Sequence, residues 1–445
     1  MSFGTDIECL GSDPGRGHID EFSAALPMDW IHEALDKTGK QSIRKRKLPS
    51  EVVIWLVIGM AMFRNMAVTM VLKYLGLAAT SARRSQRLLG DSAASSSIVE
   101  ARRRVGQDPL VELFEISARR WSEEFDAVDT WKGLRVRAMD GTTLRVADTQ
   151  ENDEFFGRPS SGERGKAAYP QLRAVAVVGV SSRVLSGFNA GPYSDNEQVL
   201  AAPLWDSVED DTLLIIDRGF INYGQMYRLA HTGHNRHWLC RTKKNTKYKL
   251  VRELGPGDQL VELSIGSEGR KEDPALPKTF VVRMIDYQMK GFKPQKLMTS
   301  LLDPAEFSAD ELIREYHLRW EVEMGYDELK TDTLEQKETI RSKSPDAVMQ
   351  ELWGLVVAYN IVRVAMARAA APKNLAPNRL SYKSSLWVIR GFLVSAWLSS
   401  PGAIPALYKD LCVQLSDLVL PERRDRRYPR EVKIKMSNYK RKKLK

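Results

Sequence analysis

Six residues are spaced so that they could do chemistry together. Asp140 follows the apolar-alternating LRVRAM and precedes Gly-Thr-Thr, and Asp217 closes the apolar run LLII. An acid directly after a buried run sits where the backbone leaves the core, a common station for reactive side chains. In YHLRWEVEMGYDELK, Tyr316, Arg319, Glu323 and Lys330 stand at offsets 0, 3, 7 and 14. On a continuous helix of about 100° per residue these four share one stripe about 60° wide. Glu321 points about 140° away from Tyr316 on the same wheel, so it is the poorer acid. Converging carboxylates suit hard divalent ions such as magnesium, which take oxygen ligands and keep several waters. Two such ions break a phosphodiester by activating one oxygen and stabilising the other. Cations beside the acids would grip phosphate. Blander explanations compete: an Asp before Gly also starts turns, and a charged helical stripe is commonly solvated and held by i,i+4 pairs.

Other chemistries find less support. His231, His234 and His237 have H-x2-H-x2-H spacing, but Gly233 and Asn235 place them in a loop, where polar surface is the ordinary role. There is no G-x-S-x-G nucleophile elbow and no G-x4-G-K-[ST] phosphate loop. Cys9, Cys240 and Cys412 lie far apart, with neither disulfide framework nor paired zinc spacing, which suits a reducing cytoplasm. The first residues show no secretory pattern. The strongest apolar run, Val52 to Phe63, is too short to span a bilayer and reads as a buried helix, so no membrane partner is expected.

The elements that must position the six residues follow from periodicity. The first ~125 residues read as helical. Pro49 is placed as a first-turn proline before EVVIWLVIGMAMF, and Ser95 to Ser97 start a helix that Gly106 stops. From about Trp131 the texture changes. LRVRAMDGTTLRVAD reads as a strand, a turn at Gly141 and a second strand; PQLRAVAVVGVSS is a third. A helix at SDNEQVLAAPLWDSV, the strand DTLLIID, the helix INYGQMYRLAHTG and the strand HWLCRTKKN follow. That mixed order is compatible with a ribonuclease H-like core. Four strand-like segments (YKLVREL, QLVELSI, TFVVRMIDYQM, KLMTSLL) form a β-rich stretch over residues ~246–304. Helix returns at SADELIREYHLRW and is expected to run to about Ala371. A last helical block covers Tyr382 to Leu420.

Charge is unevenly spread. The net charge is +10 over 445 residues, yet twelve Lys or Arg against three acids put +9 of it in Glu422 to Lys445. Basic tails bind polyanions by displacing counterions. The clusters Arg44 to Lys47, Arg83–Arg84 and Arg102 to Arg104 could contact phosphates or a groove, or form solvated faces balanced by acids.

Tyr-x2-Arg-x3-Glu-x6-Lys over Tyr316, Arg319, Glu323 and Lys330 resembles the YREK signature of insertion-sequence DDE transposases of the insertion-sequence-four type. MDGTTLRVAD and LLIIDRGF resemble the segments that hold that family's first and second catalytic Asp. The stretch from LPMDWIHEALD to MAMFR, the β-rich stretch and the end RRYPREVKIKMSNY also resemble the family, so the likeness covers nearly the whole chain. It implies an α/β fold: a ribonuclease H-like catalytic core with a β-rich insertion, a helical N-terminal domain and a helical C-terminal region. The domains would be 1–125 for DNA binding, 126–245 with 305–371 for the core, 246–304 for the insertion, 372–421 for a helical region that could dimerise, and 422–445 for the basic tail. Asp140, Asp217 and Glu323 would be catalytic and hold two Mg²⁺, with Mn²⁺ as a substitute. Tyr316, Arg319 and Lys330 would contact DNA. The implied activity is cut-and-paste transposition through a hairpin. A homodimer would act on paired double-stranded transposon ends, their terminal inverted repeats, and target DNA, in the cytoplasm at the bacterial nucleoid. The alternatives are a metal-dependent nuclease or resolvase on the same core, and a non-catalytic DNA-binding repressor. Some relatives stack a flipped base on a tryptophan of the β insertion; none lies between Thr246 and Glu315, leaving Tyr287 or Phe292 to stand in.

Overall fold

A computed structural model describes residues 26–42, 48–75, 94–160, 167–288, 293–335, 339–399 and 401–422. Cys9, the basic clusters Arg44–Lys47 and Arg83–Arg84, Phe292 and the tail beyond Glu422 lie outside the described residues. The chain divides into two units, each gathered from separated stretches. One joins Met1–Glu123, Arg145–Phe155 and Asp327–Leu420; the other joins Glu124–Leu144, Phe156–Tyr326 and Pro421–Lys445.

A mixed sheet dominates the second unit. Its strands are β1 (Thr130–Trp131), β2 (Leu134–Val146), β3 (Gln171–Gly179), β4 (Leu185–Pro192), β5 (Thr212–Ile216), β6 (Arg236–Arg241), β7 (Lys249–Gly255), β8 (Asp258–Ser264), β9 (Thr279–Tyr287) and β10 (Gln295–Thr299). They lie in the order β4-β3-β2-β5-β6-β10-β9-β8-β7, with β1 on β2. β5 runs parallel to both β2 and β6. Its residues TLLII are all buried, as a parallel strand covered on both faces requires. The four segments of the β-rich stretch all form strands, and they extend the same sheet through β10 on β6. Leu200, Leu204 and Trp205 of the helix Glu197–Asp206, and Met226 and Leu229 of the helix Tyr223–His231, share one core with Trp238, Val261 and Met284.

The expected turn at Gly141 does not form. β2 is a single strand of 13 residues, because β5 holds its first half and β11 (Thr339–Ile340) pairs with Arg145 and Val146 at its end. Beside the two-residue β1, three strands still precede the helix Glu197–Asp206, for a different reason: β4, LSGFNAGP, carries no β-branched residue to announce it, and pairs along almost all of β3.

The other unit is helical. Its helix Ser50–Met62 is buried at nearly every position, as its apolar run predicts. Pro49 stands at the N-cap, one residue earlier than a first-turn proline. Helix Ser95–Val105 ends at Gly106, whose φ of 72° is open to glycine. Gly354 lets the helix Pro345–Ala370 approach Ser50–Met62: a Cβ there would lie 2.6 Å from the Val57 side chain. The Pro345–Lys373 segment is long and apolar enough to cross a bilayer, but 89% of that window is buried within the chain.

The continuous helix expected up to Ala371 is interrupted. Ala309–His317 stops, Trp320–Asp327 begins after a turn, a π-helical segment Glu328–Thr333 follows, and β11 intervenes before Pro345–Ala370. In the helical unit a buried Glu328 accepts a 3.0 Å hydrogen bond from the Tyr359 hydroxyl and lies 3.7 Å from the Arg363 guanidinium. Arg102 does not face solvent as a phosphate contact would. Its Nε donates to Gln350 at 2.8 Å and its Nη2 to the Ala347 carbonyl at 3.1 Å, and burial holds its pKa below the usual arginine value. Arg104 caps the Leu48 carbonyl at 2.6 Å, while Arg103 is exposed.

Candidate active site

The parallel pairing of β2 and β5 ends with Met139 opposite Ile216. Asp140 is the next residue of β2, and Asp217 the first residue after β5. Register alone therefore delivers two carboxylates side by side, although 77 positions separate them in the chain. Asp217 is half-buried where β5 passes into the one-turn 3-10 helix Arg218–Phe220. The Asp140 side chain is 20% exposed and accepts a 2.8 Å hydrogen bond from the Gly141 amide. Burial pushes its pKa up to about 6; the Gly141 amide and Arg319 pull it down, and Asp217 and Glu323 push it up again. Those two acids thus share its electrostatic surroundings.

Arg319 joins the acids. Its Nη1 lies 2.8 Å from Asp140 Oδ2 and its Nη2 2.8 Å from Glu323 Oε1. Burial works against its charge, and Asp140 and Glu323 together hold the guanidinium above its ordinary pKa. Tyr316 is buried in the same unit. Burial drives its pKa to about 12, with Arg319 opposing and Asp217 adding to the rise, so the hydroxyl keeps its proton.

The uniform helical wheel needs correction here. The amides of Leu318, Arg319, Glu321 and Val322 each bond the carbonyl three residues back, not four. This tight turn, and the π-helical segment beyond Asp327, break the 100° step on which the stripe across Tyr316, Arg319, Glu323 and Lys330 was drawn. Arg319 and Glu323 keep their i,i+4 adjacency. Lys330 falls in the π-helical segment and belongs to the helical unit, whereas Asp140, Asp217, Tyr316, Arg319 and Glu323 belong to the sheet unit. Glu321 is buried, and its Oε2 accepts from Arg183 Nε at 2.8 Å.

Three neighbours escaped the sequence reading. The Tyr326 hydroxyl donates to the Asp140 carbonyl at 2.6 Å, fixing the backbone beside the carboxylate. Its YREK-adjacent position was visible, but its target was not. Trp320 is 46% exposed, with the Arg319 guanidinium 5.5 Å from its ring centroid. Glu197, in the first turn of its helix, packs directly on Gly141. Tyr287 is half-buried, its hydroxyl bound to Gln295 at 3.0 Å and its ring edge toward His317. The three histidines go to different partners: His231 stacks on Tyr227, His234 lies near Asp211 and His237 reaches Ser300.

Among the described residues, no group of three or more His, Cys, Asp or Glu closes on one point that would hold an ion unaided. The donor set nonetheless fits hard divalent ions. It is all oxygen, two of its acids arrive side by side, and a guanidinium already bridges Asp140 to Glu323, so positive charge is accommodated between them.

Residues 16–115 match the family described as insertion element 4 transposase N-terminal, and residues 131–361 match the transposase DDE domain. Over 428 residues the chain is 33% identical to the transposase InsG for insertion sequence element IS4 of Escherichia coli (strain K12), covering 96% of this chain and 95% of that one. Among solved structures, a piggyBac transposase synaptic complex with hairpin DNA aligns over 96% of this chain and 88% of its own, with 11% identity and a TM-score of 0.43. With residues 16–115 and 131–361 matched and a relative that spans it almost end to end, the chain belongs to the insertion element 4 family of transposases and is a DDE-type transposase.

Proposed function

We propose that this transposase cuts transposon ends and joins them to target DNA with Asp140, Asp217 and Glu323 as its catalytic acids. The observation that carries the assignment is the register of β2 on β5, which sets Asp140 beside Asp217, with Arg319 linking Asp140 to Glu323. These oxygens would hold two Mg²⁺, or Mn²⁺, which when bound supply Lewis acidity to the attacking and leaving oxygens. Water opens one strand and frees a 3′-OH; that hydroxyl attacks the opposite strand to close a hairpin, and after resolution attacks the target. Arg319 has a fork suited to two phosphate bonds, Lys330 supplies a point charge, and Tyr316 keeps its proton to donate to the terminal nucleotides. Trp320 offers an exposed ring for an unstacked base, whose extraction costs a few kcal/mol. In this reading the sheet is a ribonuclease H-like core and β7 to β10 are its insertion. The N-terminal helices and basic tail bind double-stranded DNA at the nucleoid. The Tyr382 to Leu420 region, where Trp387 is 65% exposed, forms a dimer on paired ends.

Single-turnover assays on a transposon end test this. Asp140→Ala, Asp217→Ala and Glu323→Ala are each expected to abolish cutting and keep end binding, since fewer acids repel less phosphate. A near-normal rate from any one of them removes that residue from the assignment. Joining of a precut end to a target plasmid separates a transposase from a nuclease on the same core.

A further inference from the structure

We propose that Glu197 is a fourth acid of the active centre, binding the divalent ions through their water shell. This rests on the assignment of Asp140 and Asp217 above.

The residue after Asp140 is a glycine, and a side chain there would have to displace the Glu197 carboxyl. A Cβ at Gly141 would stand 2.8 Å from both Cδ and Oε1 of Glu197. The Glu197 carboxyl therefore occupies the space beside Gly141 that a side chain would take. Gly141 does not have a left-handed φ among the glycines that do, so backbone freedom is not what selects it. The helix that carries Glu197 is also tied to the second strand end. The side chain of the next residue, Gln198, donates to the Gly219 carbonyl, two residues beyond Asp217. One helical turn thus touches the backbone next to Asp140 and the turn just after Asp217.

The carboxylate itself is half-buried and, among the described residues, has neither a hydrogen-bond nor an ion-pair partner. Asn196 caps the helix by accepting from the Gln198 amide, so Glu197 is not needed for that bond. The helix N-terminus favours a negative charge at its first turn. The buried Tyr326 hydroxyl, bound to the Asp140 carbonyl, feels the charges of both Asp140 and Glu197. A partly desolvated carboxylate with unfilled lone pairs, beside the residue that follows the first catalytic acid, is suited to accept hydrogen bonds from ordered water. Carboxylates in that outer position orient a metal site and tune its affinity.

The test is a Mn²⁺ titration of the full chain without DNA, followed by the electron paramagnetic resonance signal of free ion, with thermal melts as a folding control. Glu197→Gln keeps shape and loses charge. It is expected to weaken Mn²⁺ binding about tenfold, the lower end for loss of an outer partner, with an unchanged melt. Glu197→Asp, which keeps the charge, is expected to recover most of that loss. Cleavage by Glu197→Gln should need a correspondingly higher Mg²⁺ concentration. Asp140→Asn is the control for the underlying assignment. Weakened Mn²⁺ binding in Asp140→Asn with wild-type binding in Glu197→Gln overturns the role of Glu197 alone and leaves it a packing residue. Wild-type binding in Asp140→Asn overturns the assignment of the acids itself. A loss in Glu197→Gln that Glu197→Asp does not reverse also counts against the proposal, since it follows shape instead of charge.

Discussion

Burial lifts the Asp140 carboxyl to about 6, above the ordinary Asp value near 3.8, and this has a cost in stability. A group with a raised folded pKa binds its proton more tightly in the native state than when unfolded. Its contribution to stability is therefore full at low pH and is lost as pH rises through about 6. Asp140→Asn, measured in a chelator, should melt above the wild type at pH 8 by about 1–3 kcal/mol, from roughly 1.4 kcal/mol per pKa unit reduced by partial exposure. The two proteins should converge near pH 4. A lower melt for Asp140→Asn at pH 8 contradicts this balance. At this scale the sequence was informative about residue types and silent about partners. An acid after an apolar run singles out Asp140 and Asp217 as candidates, but only the β2–β5 register makes them neighbours. Glu197 gave no signal and Tyr326 only its place beside the motif, because their roles depend on which backbone they pack against.

The helix Trp320–Asp327 carries two acids two residues apart with opposite duties. Glu321 is buried against Arg183, whereas the Glu323 side chain is 40% exposed beside Arg319. Glu321→Ala leaves Arg183 without that carboxylate and should cost about 3–5 kcal/mol in urea unfolding, as for one partner removed from a buried pair. Glu323→Ala should change stability by less than about 1 kcal/mol, while removing cleavage. Equal stability losses from the two substitutions would show that the helix does not divide its acids this way. The wheel separated these two residues because they are neighbours within one run of helix. It failed over the longer span to Lys330, where i→i−3 bonds and a π segment change the angle per residue. Likewise the Asp-Gly pair suggested a turn in β2, yet strands paired at both of its ends keep it extended.

Across the whole molecule, charge, apolar content and family were legible, and the separated stretches that make up each unit were not. The basic end was evident from counting alone. Removing residues 422–445 should lower affinity for specific and random DNA by similar factors and flatten the salt dependence, because fewer counterions are released. An unchanged salt slope, or a loss confined to one sequence, would assign the tail another role. Composition marked Val52 to Phe63 as a buried helix but could not name its cover, which is the helix Pro345–Ala370. That pairing has a consequence for synthesis. Almost 300 residues separate Val57 from Gly354, so the apolar helix leaves the ribosome long before its cover exists. The helical unit draws its last stretch from Asp327–Leu420 and cannot close until translation is nearly complete. During that interval the nascent chain presents uncovered apolar surface, the state on which chaperones act and from which aggregates grow. A prematurely ended chain keeps that exposure for good, which makes incomplete copies of this protein targets for proteolysis before they are competitors for DNA.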